Sequence, residues 1–116
     1  MLSIQNSRID YTEQQKSKIL EIASDQYCRK ILSILKKDPK SAVQISEETK
    51  IPISTVYRRL QILHAVKLLR NSGAINQNGK KSFLYKSKIQ SISTFFNGDH
   101  IEIEIIPNGI EKLQGR

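Results

Sequence analysis

The chain has 116 residues, a mass of 13.3 kDa and a formal net charge of +8, which is room for one compact domain with a positive excess that points to a polyanion. Hydrophobic residues make up 38% and charged residues 26%, so it is neither a disordered basic tail nor a lysine tract, and no apolar run reaches the ~18 residues that span a bilayer. Residues Met1–Asn6 lack the pattern of a secretory leader, which makes the cytoplasm the expected setting, and a single cysteine, Cys28, excludes an intramolecular disulfide or a cysteine cluster for metal.

Residues 1–9 show no periodicity and read as a loose arm. A helix is expected from about Asp10 to Ala23, with Tyr11, Ile19, Leu20, Ile22 and Ala23 as its apolar set. Ser24-Asp25 reads as the start of a second helix. Cys28, Ile31, Leu32 and Leu35 then fall at i, i+3, i+4 and i+7, one buried face, with Lys36-Lys37 at its C-terminal end and Asp38-Pro39 as the stop. Ser41 opens a short third helix, and Gln44 stands at capping-box distance from it. Ala42, Val43 and Ile45 are its core candidates. After a break over Thr49–Ile53, Ser54 is placed to cap a fourth helix running to about Val66, with Val56, Leu60 and Leu63 on one stripe.

Beyond Lys67 the period changes from helical to strand-like. Leu68–Ile75 and Ser82–Tyr85 flank Asn78-Gly79, a strong hairpin signal because both residues tolerate positive φ. A second β-rich pair, 89–96 and Ile101–Ile105, flanks Asn97-Gly98, and Pro107-Asn108-Gly109 closes it. In that pair Ile101, Ile103 and Ile105 alternate with Glu102 and Glu104, the pattern of a half-buried strand. Phe95-Phe96 and the three isoleucines read as core or as a dimer seam. The domain reading is an arm (1–9), a four-helix-plus-hairpin unit (10–88), a C-terminal hairpin packed on or extending it (89–107), and a tail (108–116).

Charge is not spread evenly. Residues 51–90 hold eight Lys/Arg and no carboxylate, whereas residues 1–50 balance to +2 and residues 91–116 to −2. Two helices joined by a tight turn and followed by a basic hairpin is the order of a winged helix-turn-helix, an α+β fold. With Val56 at zero and about 100° per residue, Leu60 lies near 40°, Leu63 near 340° and Arg58 opposite, near 200°. Ser54 and Gln61 lie to one side of Arg58, and Thr55 and Ile62 to the other. Ser54 and Thr55 suit a phosphate at the helix N-terminus. Arg58 and Gln61 have the donors to read base edges. Tyr57 and Arg59 flank the face, where backbone contact is expected, and Tyr57 reads equally well as a packing residue. Lys80 and Lys81 sit at the hairpin tip, within reach of flanking phosphates.

Ile-Pro-Ile-Ser-Thr-Val-Tyr-Arg-Arg-Leu (51–60), then Leu63, Val66 and Leu68-Leu69 before a hairpin, resembles the winged-helix domains of ArsR-like transcriptional regulators, the archaeal ones especially. The lead-in Ile19-Leu20, Ala23-Ser24-Asp25, Arg29-Lys30-Ile31-Leu32 and Leu35 is similar to theirs as well, so the resemblance covers about residues 18–88. It implies a DNA-binding regulator that acts as a homodimer; the first helix (10–23) and the 89–106 hairpin, which lies outside the resemblance, are the candidate seams. Two departures stand out. Lys50 occupies the turn position where the family often has glycine, at a cost of about 1 kcal/mol if φ is positive. The helix before recognition, Ala42–Glu48, lacks the paired cysteines of metal-sensing members, so no metal inducer and no cofactor are expected.

No glycine-rich phosphate loop, paired-histidine motif or serine elbow points to an enzyme. His64 and His100 have no cysteine or carboxylate at ligand spacing, and Glu102/Glu104 lack a third ligand. Two other readings remain open at this level, a winged-helix protein-interaction unit of a transcription-related complex and an RNA-binding winged helix. Major-groove readout requires B-form duplex, which separates DNA from RNA.

Overall fold

The computed structural model describes residues 11–75 and 81–109. The expected arm (1–9), the Asn78-Gly79 turn, Lys80 and the end of the tail lie outside them. Four helices come first: α1 (Glu13–Ser24), α2 (Gln26–Ile34), α3 (Ala42–Thr49) and α4 (Ile53–Ala65). Two antiparallel hairpins follow: β1 (Leu69–Ile75) with β2 (Lys81–Ser87), and β3 (Ile89–Asn97) with β4 (His100–Pro107). This is a winged helix-turn-helix α+β fold with an additional hairpin.

Side-chain oxygens close the starts of α1, α2 and α3. Thr12 and Gln15 form a capping box on α1, so that helix begins three residues later than its periodicity suggests. Asp25 caps α2 by accepting from the Cys28 backbone N–H at 2.8 Å, and Ser41 with Gln44 forms the expected box on α3. Ser54 does not cap α4. The helix starts two residues earlier, behind Pro52, whose carbonyl accepts from Val56 and whose side chain has no oxygen to offer.

Two lysines occupy left-handed backbone. Lys50 ends α3 at φ 65°, where the family resemblance places glycine. Lys67 follows α4 at φ 63°. There the Lys67 N–H donates to His64 O and the Leu68 N–H to Leu63 O, the paired bonds of a Schellman motif, without its usual glycine. The sequence reading missed this second position.

α2 ends at Ile34, before the proline that was expected to stop it. Tertiary partners satisfy the carbonyls of the turn that follows it: the Ser87 N–H donates to Leu35 O, Lys86 Nζ donates to Lys36 O and Lys37 O, and Asn108 Nδ2 donates to Lys36 O as well as to Ser87 O. Lys36 itself donates to Gln90 O. Lys40 and Tyr85 exchange both backbone hydrogen bonds, adding a one-residue bridge to the wing sheet.

The core joins all helices to the bases of both hairpins. Ile19, Ile22, Cys28, Ile31, Leu35, Ile45, Val56, Leu60, Leu63 and Leu68 are buried together with Ile89 and Ile105. Val43, an expected core residue, is 52% exposed; on the eight-residue α3 only Ala42 and Ile45 face inward. The second hairpin turns on Gly98-Asp99, one residue further along than expected, because Asn97 pairs with His100. Gly98 takes φ 66° and Asp99 does not share it, the sign pattern of a type II′ turn. Phe95 and Phe96 are 53% and 77% exposed, so the expectation that placed them in the core fails.

Candidate nucleic-acid interface

α4 is fixed from below by Val56, Leu60 and Leu63, each at most 2% exposed. Its solvent face carries Ser54, Tyr57, Arg58, Gln61 and His64, while Thr55, Arg59 and Ile62 are half-buried. The exposed arc therefore runs from about 80° to about 200° on the helical wheel. It is rotated toward Tyr57 and His64 relative to a face centred on Arg58. Lys18, Glu21 and Ile22 of α1 and Asp25 and Cys28 around the start of α2 border the flank that carries Arg59 and Ile62, which turns it away from the open side.

Arg59 is held on that covered flank. Its Nε lies 3.0 Å from Asp25 Oδ2 and its Nη2 3.3 Å from Oδ1, and the guanidinium carbon stands 5.4 Å from the centre of the Tyr27 ring. This forked pair lowers the Asp25 carboxyl to about 2 and raises the Arg59 guanidinium further. Arg58, its neighbour, is exposed on the open face.

The wing stands beside this face. β1 and β2 pair from Leu69↔Ser87 to Ile75↔Lys81. The Phe83 ring edge lies 4.0 Å from where a Cβ on Gly73 would stand, covering the glycine on the opposite strand. Lys81 starts β2, and the position of its side chain and of Lys80 lies outside the described residues. Lys50 is exposed at the turn before α4.

Helix and wing enclose a cleft of about 340 Å³ lined by Tyr57, Leu60, Gln61, His64, Ala65, Asn71 and Tyr85. Burial raises the Tyr85 hydroxyl, with Tyr57 nearby adding to the shift. Asn71 and Tyr85 were not singled out from sequence; their alternation along the wing strands was the available signal. Exposed Val43 and Ile53 add apolar surface on α3 and at the start of α4.

The groups presented are hydrogen-bond donors and short hydroxyls, and the whole stretch 51–90 has no carboxylate to repel phosphate. Among the described residues, no three His, Cys, Asp or Glu side chains gather as a metal group, and no helix is long and apolar enough to cross a membrane.

Residues 23–71 match a family described as a helix-turn-helix domain. The matched stretch runs from the end of α1 through α4 into β1, and it contains the whole helix–turn–helix unit. No curated protein matches the chain. The fold and the family match together point to a DNA-binding regulator.

Proposed function

We propose that the protein is a sequence-specific double-stranded DNA-binding transcriptional regulator of the ArsR-like kind, acting as a homodimer. α4 enters the major groove, with Arg58 and Gln61 reading base edges and Ser54, Thr55 and Tyr57 at backbone or groove wall. Lys50 meets a phosphate beside the turn, and the wing tip, with Lys80 and Lys81, grips the flanking strand. Arg59 serves this surface by holding α4 against α2. The uncapped first turn of α4 leaves backbone N–H groups available to a phosphate.

The observation that carries this reading is the acid-free, outward face of α4 beside a basic hairpin, on a fold whose helix pair matches a helix-turn-helix domain. Selection of random duplexes by the purified chain tests it. The expected product is a consensus of two related half-sites about 34 Å apart, bound with an affinity that falls steeply with salt. Duplex affinity that ignores salt, or equal binding to duplex RNA, overturns it.

A further inference from the structure

The C-terminal hairpin has an apolar face that outruns the body it packs on. Cross-strand pairing sets Ile92 beside Ile105, Thr94 beside Ile103 and Phe96 beside Ile101, and each pair shares one side of the hairpin. At the base that side is covered: Ile105 is 7% exposed, and Ile92 and Ile103 pack on the core. At the tip it is bare, with Phe96 77% exposed.

The β3 edge is bare as well. Counting back from the two-residue turn, Asn97, Phe95 and Ser93 exchange hydrogen bonds with β4, while Phe96, Thr94 and Ile92 turn their backbone groups outward. At the base, the Gln90 carbonyl is taken by Lys36. Among the described residues, nothing takes those of Ile92, Thr94 and Phe96. Beside that edge lies a groove of about 330 Å³, with Ile22, Ala23, Leu32 and Ile92 in its lining and Arg29 and Lys36 also bordering it. The hairpin itself, residues 89–107, holds Asp99, Glu102 and Glu104 and no lysine or arginine.

We propose that the occupant of this edge and groove is the hairpin of a second copy of this chain. The two β3 strands pair antiparallel about a two-fold axis at Thr94, making one four-stranded intermolecular sheet. This register sets Phe96 of one copy opposite Ile92 of its partner. A two-fold axis perpendicular to the sheet keeps both apolar faces on the same side. Each bare tip then lies over the other copy's α1–α2 groove, and the acidic turn approaches Arg29 and Lys36. One movement thus covers the exposed aromatic, the open strand edge and the basic-rimmed groove. The inference rests on the homodimer part of the reading above and names its seam.

Sedimentation of the full chain without DNA, together with cysteine cross-linking, tests it. The wild type is expected at twice the 13.3 kDa chain mass, and a Thr94→Pro variant, which loses the outward N–H, at the monomer mass with an unchanged helical circular dichroism spectrum. Thr94→Cys is expected to cross-link to itself under mild oxidation. Glu102→Cys, on the other strand and face, is expected not to. Thr94→Cys keeps the test alive if the proline variant does not fold, since Cys28 is buried. A monomeric wild type, a dimer whose Thr94→Cys form fails to cross-link, or faster cross-linking through Glu102→Cys overturns the proposal. Salt-dependent duplex binding by a monomer would overturn this seam and leave DNA recognition standing.

Discussion

Arg59 on α4 and Asp25 at the start of α2 form a forked ion pair, 3.0 Å and 3.3 Å across its two contacts. The same carboxylate accepts the Cys28 backbone N–H that begins α2. One aspartate thus starts one helix and anchors another.

Asp25→Ala is expected to lower stability by about 1–2 kcal/mol through the lost cap, with the lost pair adding to it. The pH dependence has a definite sign. The Asp25 carboxyl titrates near 2 when folded, below its ordinary 3.8. Its contribution is complete above the unfolded value and is lost as pH falls through the folded one. Chemical denaturation between pH 5 and pH 2 should show this loss in the wild type and not in Asp25→Asn.

Arg58 and Arg59 are adjacent in sequence and divided in task. Arg58→Ala is expected to cost about 1–3 kcal/mol of specific duplex binding and to relax preference at one base position, with the melting temperature unchanged. Arg59→Ala is expected to lower the melting temperature. Parallel binding titrations and thermal melts separate the two effects; matching behaviour of the two variants would refute the division.

Two left-handed lysines give a paired test. Lys67→Gly is expected to raise stability by about 1 kcal/mol, since glycine meets no steric penalty at φ 63°. Lys50→Gly should gain a similar amount and also lower the salt slope of duplex binding by about one, the signature of a lost phosphate contact. A gain in stability with the slope unmoved removes Lys50 from the interface.

Cys28 is 2% exposed, and burial pushes its thiol up to about 12, with the Asp25 carboxylate adding to the shift. A thiol reagent at pH 8 should therefore label the folded chain only as fast as it opens. Rapid labelling in native buffer would contradict this packing.

The helical half was legible because its signals are local. Cys28, Ile31, Leu32 and Leu35 lie on one face by spacing alone, and Ser41 with Gln44 announces a cap by chemistry alone. Val56, Leu60 and Leu63 followed the same rule. Where the reading slipped, a distant partner or a backbone angle decided. Arg59 carries the same side chain as Arg58, and only the approach of Asp25, 34 residues earlier, sets it apart. Ser54 has the right oxygen, yet the helix begins two residues sooner, behind Pro52. Lys67 carries no sign of a left-handed turn, because the fold imposes that angle on it. The solvent arc of α4 shifted toward Tyr57 and His64 because α1 and the start of α2 border the flank of Arg59 and Ile62, a tertiary fact that helical spacing does not contain.

The carbonyls of the turn after α2 are satisfied from far along the chain. Lys86 reaches Lys36 across 50 residues and Asn108 reaches it across 72. Such contacts close only after long loops have been drawn in, so they form late on a folding path whose helices need only neighbours. The helical half is thus expected to gain protection from hydrogen exchange before the backbone amides of Ser87 and Asn108, which donate to Leu35 O and Lys88 O. The final step is then the arrival of residues 86–108, which seals the turn at Lys36-Lys37 and seats both hairpins together.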